Sequence, residues 1–343
     1  MKKLVFLLST VTVLLSSCNT ETVELAGAGA TFPVPYYNVA FEAYKAETGN
    51  IVSYGGIGSG GGIRSITEGI VDFAGTDAFL NDERMAEIDE VIHIPTCMGA
   101  VVLSYNLEGV SKLNLTGEII ANIYLGKITN WNDSLIQAIN PDVTLPTKKI
   151  TPVFRSDGSG TTAIFANYLS KVSPTWKDTL GEGTALNFTV GVGGKGNPGV
   201  AGTVAVTDGA IGYIGSEYAF SLGLSIASIQ NSKGEFIQPN TASISAAAQG
   251  DIPADTRVMI TNSEATGSYP ISGFTWIVVY KEQAYANRSI EKAEATVELL
   301  HFLLSEKAQS LTETVHYAPL SEAVIALTKA NIKKMTYQGN PIE

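Results

Sequence analysis

Three glycine-rich turns hold most of the side chains in this sequence that could do chemistry. They are GAGATF (27–32), GIGSGGG (56–62) and DGSGTT (157–162), and each stands between a β-prone run and a helix-like segment. A helix N-terminus offers unpaired backbone N–H groups and the positive end of the helix dipole, and small residues let an anion approach the backbone closely. The repeated design predicts a site for a small oxyanion.

One of these turns is preceded by an arginine, in RSDGSGTT (155–162). The planar guanidinium of Arg155 can bind two oxyanion atoms at once and stays charged, and Asp157 could hold it by a salt bridge. A single Ser or Thr before a helix is usually only a cap. The hydroxyls of the three turns together would add hydrogen-bond donors near the arginine: Thr31, Ser59, Ser159 and Thr161.

The second turn also fits a different chemistry. GGIGSGG matches G-x-G-x-x-G at Gly56, Gly58 and Gly61, and Asp77 follows about 20 residues later, as in a dinucleotide-binding site. The excess of glycine and hydroxyl residues argues against a nicotinamide cofactor, and so does the export from the cytoplasm that residues 1–17 predict, as described below. The sequence therefore predicts no bound cofactor.

Two further functional motifs each lack one required residue. A G-x-S-x-G nucleophile elbow around Ser159 would need glycine where Asp157 stands. The segment GVGGKGN (191–197) lacks the Ser or Thr that follows the lysine of a P-loop, because Gly196 follows Lys195. We expect this segment to be a cleft-edge or connecting loop.

Strands and helices alternate along the chain around these turns. LAGAGATF precedes the helix-like PVPYYNVAFEAYKAETG, and NIVSYGGIGSGGG precedes IRSITEGIVDFAG, which favours parallel α/β sheets. The strongest strand patterns cover residues 92–106 and 271–281. One long helix, IEKAEATVELLHFLLSEKAQSL, is predicted from Ile290.

A second α/β unit lies between the two strong strands. Its predicted elements are a helix and turn at 116–128, a strand at 149–157, a helix at 161–172 and a strand at 209–215.

The two strong strands would then cross between domains, so that the first domain is built from both ends of the chain. We expect an α/β fold with one lobe at residues 25–103 plus 275–343 and an inserted lobe at residues 104–274. A chain of 343 residues suits two such domains of roughly 150 residues each.

The N-terminus has the pattern of an export signal. In MKKLVFLLSTVTVLLSS two lysines precede an apolar run that is too short for a comfortable transmembrane span, and small residues follow. The next stretch, LSSC, resembles a bacterial lipobox, whose cysteine is lipidated after cleavage. We expect residues 1–17 to be a lipoprotein signal peptide, Cys18 to carry the lipid and residues 18–24 to be a tether.

The protein is thus expected to be an extracytoplasmic, membrane-anchored lipoprotein, in the periplasm or on the outer cell surface. The alternative is an ordinary signal peptide with a chance cysteine.

Charge, histidine and cysteine content narrow the function further. The formal net charge is −11, and loss of Lys2 and Lys3 with the signal lowers it to −13, which argues against nucleic-acid binding through a basic surface. The three histidines are scattered, so no metal site is predicted. If Cys18 carries lipid, Cys97 is the only thiol left, and its apolar surroundings favour a buried packing role.

The order of the motifs resembles a known family. GAGATFPVPYY, YGGIGSGGG, VDFAGTDAFL, IYLGKITNW, FRSDGSGTT, GGKGN and GAIGYI follow one another as in the phosphate-binding proteins of bacterial ABC-type phosphate importers, over about residues 25–320. The resemblance implies a two-lobed periplasmic-binding-protein fold of type II, in which two crossing strands join the lobes and a hinge closes them over the ligand. It also implies binding of inorganic phosphate and delivery to a permease and an ATPase, without catalysis. We expect a monomer.

The resemblance further assigns site residues one by one. Asp157 matches the residue that pairs with the arginine, and Gly60 is a departure, because better-known family members carry a second serine there. The implied phosphate ligands are Thr31, Phe32 through its backbone N–H, Ser59, Asp77, Arg155, Ser159, Gly160 and Thr161.

Asp77 would give such a site its selectivity. Phosphate keeps a proton near neutral pH, with a second pKa of about 6 in its monoesters, whereas sulfate does not, so a carboxylate acceptor would distinguish the two. Two other functions stay open. One is binding of another oxyanion, such as tungstate, molybdate or sulfate, and the other is an extracellular phosphatase or hydrolase that uses Ser159 with a distant histidine.

Overall fold

The computed structural model of this protein describes residues 22–342. The predicted signal peptide, Cys18 and part of the predicted tether lie outside the described residues. The strands are β1 Glu24–Gly29, β2 Ile51–Gly56, β3 Phe73–Thr76, β4 Val91–Tyr105, β5 Asn114–Leu115, β6 Thr151–Arg155, β7 Val192–Gly194, β8 Ala210–Gly215, β9 Ser225–Ile226, β10 Ser228–Gln230, β11 Phe236–Ile237, β12 Ser272–Tyr280, β13 Thr336–Tyr337 and β14 Asn340–Pro341.

Helices fill most connections between these strands. Most of them begin after a Ser, Thr, Asp or Asn whose side chain accepts a hydrogen bond from a backbone N–H of the first turn. They are α1 Val34–Thr48, α2 Ser59–Thr67, α3 Asp82–Met85, α4 Gly117–Tyr124, α5 Ser134–Ala138, α6 Gly160–Val172, α7 Pro174–Thr179, α8 Gly196–Val206, α9 Ser216–Leu222, α10 Thr241–Ala246, α11 Ile290–Leu303, α12 Glu306–Thr314 and α13 Glu322–Ile332. Within residues 22–342, no helix is long and apolar enough to span a bilayer.

The main sheet runs in the order β2-β1-β3-β12-β4-β8-β6-β7, with β9 paired to β4. Its two flanks are parallel, β1 with β2 and β3 on one side and β6 with β7 and β8 on the other. At the centre, β12 runs antiparallel to β4, and β4 runs antiparallel to β8. Strand β4 pairs with β12 up to Ala100 and with β8 from Val101, so it passes from one half of the sheet to the other.

This architecture confirms the predicted two-lobed α/β fold with long strands between the lobes. The strands predicted at 92–106 and 271–281 are β4 and β12. The expectation of parallel sheets holds for the flanks, but the two crossing strands are antiparallel to their neighbours.

The bounds of the lobes stay a prediction. Residues of the predicted inserted lobe also touch the first lobe, since Arg257 donates to the carbonyl of Leu80 and Thr256 to that of His93.

The long helix predicted from Ile290 is wrong as a single element. The chain forms α11 and α12 there, separated at Leu304 and Ser305. The Oγ of Ser305 accepts a hydrogen bond from the N–H of Ala308, so this serine caps a new helix instead of continuing the old one. The apolar spacing persists across the break, because both helices pack on the same core.

Two aromatic clusters occupy the interiors of the lobes. Tyr37 stacks on Phe41 in the first lobe, with ring centroids 5.0 Å apart, and Phe165 stacks on Tyr213 in the second, with centroids 4.2 Å apart. Cys97 is a buried free thiol on β4, which confirms its predicted packing role. These cores hold the ends of β1, β2 and β6 in place, where the glycine-rich turns begin.

The first two turns are brought together by a close approach between α2 and β1. A Cβ atom on Gly62 would lie 2.5 Å from the Cα of Gly29, a distance that real side chains do not adopt. Glycine at position 62 therefore lets α2 lie directly against β1, with Thr31 and Ser59 at neighbouring strand ends.

Candidate functional site

The three glycine-rich turns lie where the sequence predicted them, and they meet between the lobes. The first follows β1, the second links β2 to α2, and the third links β6 to α6. Across the cleft the N–H of Gly60 donates to the carbonyl of Gly158 at 3.0 Å, and the N–H of Gly160 donates to Ser59 Oγ at 3.0 Å. The lobes are therefore in contact around the candidate site.

Arg155 and Asp157 form a bidentate ion pair, as predicted. Arg155 Nε donates to Asp157 Oδ1 at 2.8 Å and Nη2 donates to Oδ2 at 2.6 Å, and the arginine side chain is almost fully buried. The N–H of Gly196 donates to Asp157 Oδ1 at 3.0 Å. Burial opposes ionisation of Asp157, but these hydrogen bonds and the adjacent guanidinium outweigh it and hold the pKa below its usual range.

The guanidinium keeps hydrogen-bonding capacity after this pairing. Besides its two bonds to Asp157, Arg155 donates from Nη1 to Thr161 Oγ1 at 3.2 Å. Arginine carries five N–H donors, so one N–H on Nη1 and one on Nη2 remain for a ligand. Such a charged fork, held in place by a carboxylate, suits an oxyanion.

The N-terminus of α6 supplies the backbone donors of the second lobe. Ser159 Oγ accepts from the N–H of Thr162 at 3.0 Å and so caps the helix. The N–H of Thr161 has no acceptor among residues 22–342. The N–H of Gly160 already bonds Ser59 Oγ, and a Cβ atom at Gly160 would lie 2.6 Å from that oxygen, so only glycine allows this contact.

Asp77 lies just after β3 in the wall that faces Arg155. Its carboxyl is 1% exposed, and Oδ1 accepts from Thr275 Oγ1 at 2.8 Å. Burial raises the pKa of Asp77 to about 7, while the Thr275 hydroxyl and the charge of Arg155 act in the opposite direction. Its second oxygen has no partner among the described residues and can accept a proton-bearing group.

The first turn contributes Thr31 and Phe32. The carbonyls of both residues are occupied, because Tyr218 donates its hydroxyl to that of Thr31 and Tyr317 donates to that of Phe32. The N–H of Phe32 has no acceptor within the described part of the chain. The turn therefore presents donors to the cleft and keeps its acceptors turned away.

Sequence reasoning missed Asn197. It belongs to GVGGKGN (191–197), which was expected to be a cleft-edge or connecting loop but forms β7 and the start of α8. Asn197 is fully buried and hydrogen-bonds to both Thr31 and Thr161. The GGKGN motif (193–197), which ends at Asn197, was the signal in the sequence that could have identified it.

Two other buried polar groups near the cleft had no signal in the sequence. Thr275, inside β12, hydrogen-bonds to Asp77. Glu217 on α9 is 1% exposed, and neither of its carboxylate oxygens has a hydrogen-bond partner within residues 22–342. Burial raises the pKa of Glu217 to about 8.

The structure argues against the dinucleotide interpretation. A Cβ atom at Gly58 would lie 2.4 Å from Asp157 Oδ2, so the second lobe fills the space where a pyrophosphate would approach the turn. Asp77 is buried against Thr275 instead of projecting toward a ribose. The residues of the described range also include no cluster of three His, Cys, Asp or Glu side chains that could hold a metal ion.

A serine nucleophile lacks its base. Ser159 Oγ bonds the N–H of Thr162, and no histidine within residues 22–342 hydrogen-bonds to it. His93 accepts the N–H of Leu80 at 3.0 Å, and burial lowers its pKa to about 3. His316 lies against the ring of Phe220. A Ser–His pair is therefore absent at this cleft.

Comparisons with known proteins agree with this geometry. A family model described as a PBP superfamily domain matches residues 16–307. The phosphate-binding protein PstS of Xylella fastidiosa is 38% identical over 320 residues, which cover 92% of this chain and 86% of that one. PstS of Pasteurella multocida is 38% identical over 321 residues, or 92% and 91% of the two chains.

A solved structure is similar in fold. The phosphate-binding protein of Stenotrophomonas maltophilia superposes with a TM-score of 0.68 over 90% of this chain and 94% of that one, at 19% identity. At that identity the superposition supports the type II periplasmic-binding-protein fold alone.

Proposed function

The chain belongs to the PBP superfamily and, within it, to the family of phosphate-binding proteins named PstS, and on that premise we propose that it binds inorganic phosphate outside the cytoplasm for an ABC-type importer. The identity of 38% over 92% of the chain supports this function. So does the chemistry of the cleft, which combines many hydrogen-bond donors and one buried guanidinium with the carboxyl of Asp77 as an acceptor.

That combination is the observation that carries the proposal. The donors include the free N–H groups of Arg155 and the N–H groups of Phe32 and Thr161, and Asp77 supplies an oxygen without a partner among the described residues. A monohydrogen phosphate offers several acceptor oxygens and one O–H donor, so it matches the set. The proposed ligands are Thr31, Phe32, Ser59, Asp77, Arg155, Ser159, Gly160 and Thr161. The N–H of Gly160 would be shared between the anion and Ser59 Oγ, and Asp157 orients Arg155.

Capture and release follow from lobe closure. Donors of the first lobe and the ion pair of the second reach the same anion only when the lobes meet, as they do through Gly60 and Gly158. Closure removes water from the anion, and in a dehydrated site the fixed donors interact more strongly with it. No bond of the phosphate changes, so we propose binding and delivery to a permease and an ATPase without catalysis.

The N-terminal segment completes the proposal. Residues 1–17 would direct export, and a lipid on Cys18 would anchor the chain to a membrane, with the folded body starting after the short tether at 18–24. A monomer suffices, because the proposed ligands all come from one chain. The lipid would be tested by mass spectrometry of the mature protein, where an unmodified Cys18 contradicts the anchor.

Calorimetric titration tests the function directly. The mature chain from residue 18, carrying Cys18→Ser and stripped of bound ligand, is titrated with phosphate and then with sulfate near neutral pH. We expect one-to-one binding of phosphate and none of sulfate. Binding of sulfate, molybdate or tungstate in place of phosphate would assign another oxyanion, and turnover of a chromogenic phosphoester would indicate a hydrolase.

A further inference from the structure

Asn197 bridges the two lobes from the first turn of α8. Its Nδ2 donates to Thr31 Oγ1 at 3.0 Å and to Thr161 Oγ1 at 3.1 Å, and its backbone N–H donates to Thr31 Oγ1 at 3.0 Å. Its Oδ1 accepts from the N–H of Gly215 at 3.0 Å. This last bond fixes which end of the amide faces the two threonines, because the reversed amide would place two donors against each other.

Both threonine hydroxyls are saturated as acceptors by these contacts. A hydroxyl has one O–H donor and two acceptor lone pairs. Thr31 Oγ1 receives two hydrogen bonds from Asn197, and Thr161 Oγ1 receives one from Asn197 and one from Arg155 at 3.2 Å. No residue in 22–342 accepts a hydrogen bond from either hydroxyl, so each O–H proton remains available to a bound ligand.

We propose that Asn197 is a positioning residue that makes the hydroxyls of Thr31 and Thr161 obligate donors toward the bound anion. The inference rests on the proposed function and adds a specificity device to it. A free hydroxyl can rotate to donate or to accept, but these two can only donate. The site therefore disfavours a ligand group that needs an acceptor at these two positions, and it holds both donors in place before the anion arrives.

Ser59 shows the same arrangement without Asn197. Its Oγ receives hydrogen bonds from the N–H groups of Gly160 at 3.0 Å and Asp77 at 3.4 Å, so its proton is also directed away from the protein. Here the backbone supplies both donors. Substitution of Asn197 should thus weaken the contributions of Thr31 and Thr161 and leave that of Ser59 unchanged.

A double-mutant cycle separates this role from simple structural support. Asn197→Asp keeps the shape but replaces the Nδ2 donor by an acceptor, so the threonine hydroxyls turn toward it and away from the anion. Thr161→Val removes one hydroxyl at constant volume. Phosphate affinity is measured by calorimetry on the mature chain for the four combinations, with thermal unfolding of each as the measure of stability.

We expect Thr161→Val to lower phosphate affinity at least tenfold in the otherwise wild-type chain, because a hydrogen bond to a charged group is lost. In the Asn197→Asp chain the same change should cost less than threefold. Equal losses in the two backgrounds would overturn the proposal and leave Asn197 as structural support only. If Asn197→Asp binds or folds too weakly to measure, Asn197→Leu takes its place in the cycle with the same expectation of a reduced cost.

Two controls keep the interpretation specific. Asn140→Asp alters another buried asparagine of the second lobe, whose Nδ2 bonds the carbonyls of Asn114 and Ile136, and it should leave the cost of Thr161→Val unchanged. If the unaltered chain binds a different oxyanion, the proposed phosphate function fails, and the same cycle run with that anion still decides the role of Asn197. A normal phosphate affinity with an uncoupled cycle refutes only the role of Asn197.

Discussion

The cleft has two walls: the first, from the first lobe, holds Asp77, and the second, from the second lobe, holds Arg155 and Asp157. Their carboxyl groups differ in protonation. Asp157, in the second lobe, is ionised against Arg155 and the N–H of Gly196, with its pKa held below the usual range. Asp77, in the first lobe, is buried with one hydroxyl partner, and its pKa is raised to about 7. The same residue type thus serves one wall as a fixed countercharge and the other as a group poised between two protonation states.

This difference indicates that one wall attracts the oxyanion and the other selects which oxyanion is bound. The second wall would attract any oxyanion, because it presents Arg155 and a helix N-terminus. The first wall, with Asp77 ionised, would admit only an anion that brings a proton to this carboxylate. Two unit charges about 3 Å apart repel by roughly 5 kcal/mol at an effective dielectric of 20, which would exclude a fully ionised sulfate wherever Asp77 is itself ionised.

The largest expected effect comes from Asp77→Asn, which removes the selective charge. At about pH 10, roughly three units above the pKa of Asp77, the ratio of phosphate to sulfate affinity should fall on the order of a thousandfold, or about 4 kcal/mol, mainly because sulfate gains affinity. The fall should be smaller at lower pH, where part of the Asp77 carboxyls is protonated. Competition calorimetry with both anions measures it. An unchanged ratio would mean that selection does not depend on the first wall.

Asp157→Asn tests the second wall through stability. Arg155 stays buried without its countercharge, so the ligand-free protein should lose about 3 kcal/mol of unfolding free energy, and phosphate should restore part of that loss. Thermal unfolding with and without phosphate shows both effects. Asp82→Asn is the matched control, because the Asp82 carboxylate that pairs with Arg257 is 93% exposed and contributes little. A loss no larger than that of the control would contradict the assigned role of Asp157.

Arg155→Ala should weaken phosphate binding by at least 2 kcal/mol, or roughly thirtyfold. A charge-assisted hydrogen bond contributes about 1.5–3 kcal/mol, and the free N–H groups of the fork can make more than one. Arg84→Ala, at an exposed arginine, is the control. Wild-type phosphate affinity in Arg155→Ala would show that Arg155 does not bind the anion and that the second wall does not attract it.

The walls should also differ in their response to pH. The pKa of Asp77 in the folded chain is about 7, above its ordinary value of 3.8, so its contribution to stability is complete below about pH 4 and is lost as pH rises through 7. Between pH 6 and 8 this loss from Asp77 alone amounts to about 1.4 kcal/mol in the ligand-free protein. Asp77→Asn should remove this part of the slope. Asp157→Asn should keep it, since the pKa of Asp157 lies below this range.

Local sequence chemistry was enough to predict the attractive wall. The strand, turn and helix around DGSGTT and the pairing of Arg155 with Asp157 depend on residues next to one another, and the structure contains both. The burial of Asp77 and its hydroxyl partner were not predictable. Thr275 stands 198 residues from Asp77 in the chain, and only the pairing of β12 with β3 brings the two together.

The same limit applies to Asn197, which is 166 residues from Thr31. Its motif was recognised, but a Gly-rich segment without a P-loop hydroxyl gave no reason to place its asparagine between two lobes. The prediction of one helix in place of α11 and α12 was wrong for a different reason. The apolar spacing that predicts a helix continues through Ser305, and only the capping bond to Ala308 shows that a second helix starts.

Gly60→Ser should have the smallest effect and tests how the two walls fit together. A Cβ atom at Gly60 would lie 3.4 Å from the Cα of Gly158, which is close to ordinary contact, and φ at Gly60 is not positive. The N–H of Gly60, which bonds the carbonyl of Gly158, is retained by serine. We therefore expect phosphate affinity to change by less than about 0.5 kcal/mol, the usual range for a substitution that disturbs no packed or charged group. A tenfold loss in calorimetry would show instead that the lobes need glycine here to close, and that the walls meet more tightly than their contacts indicate.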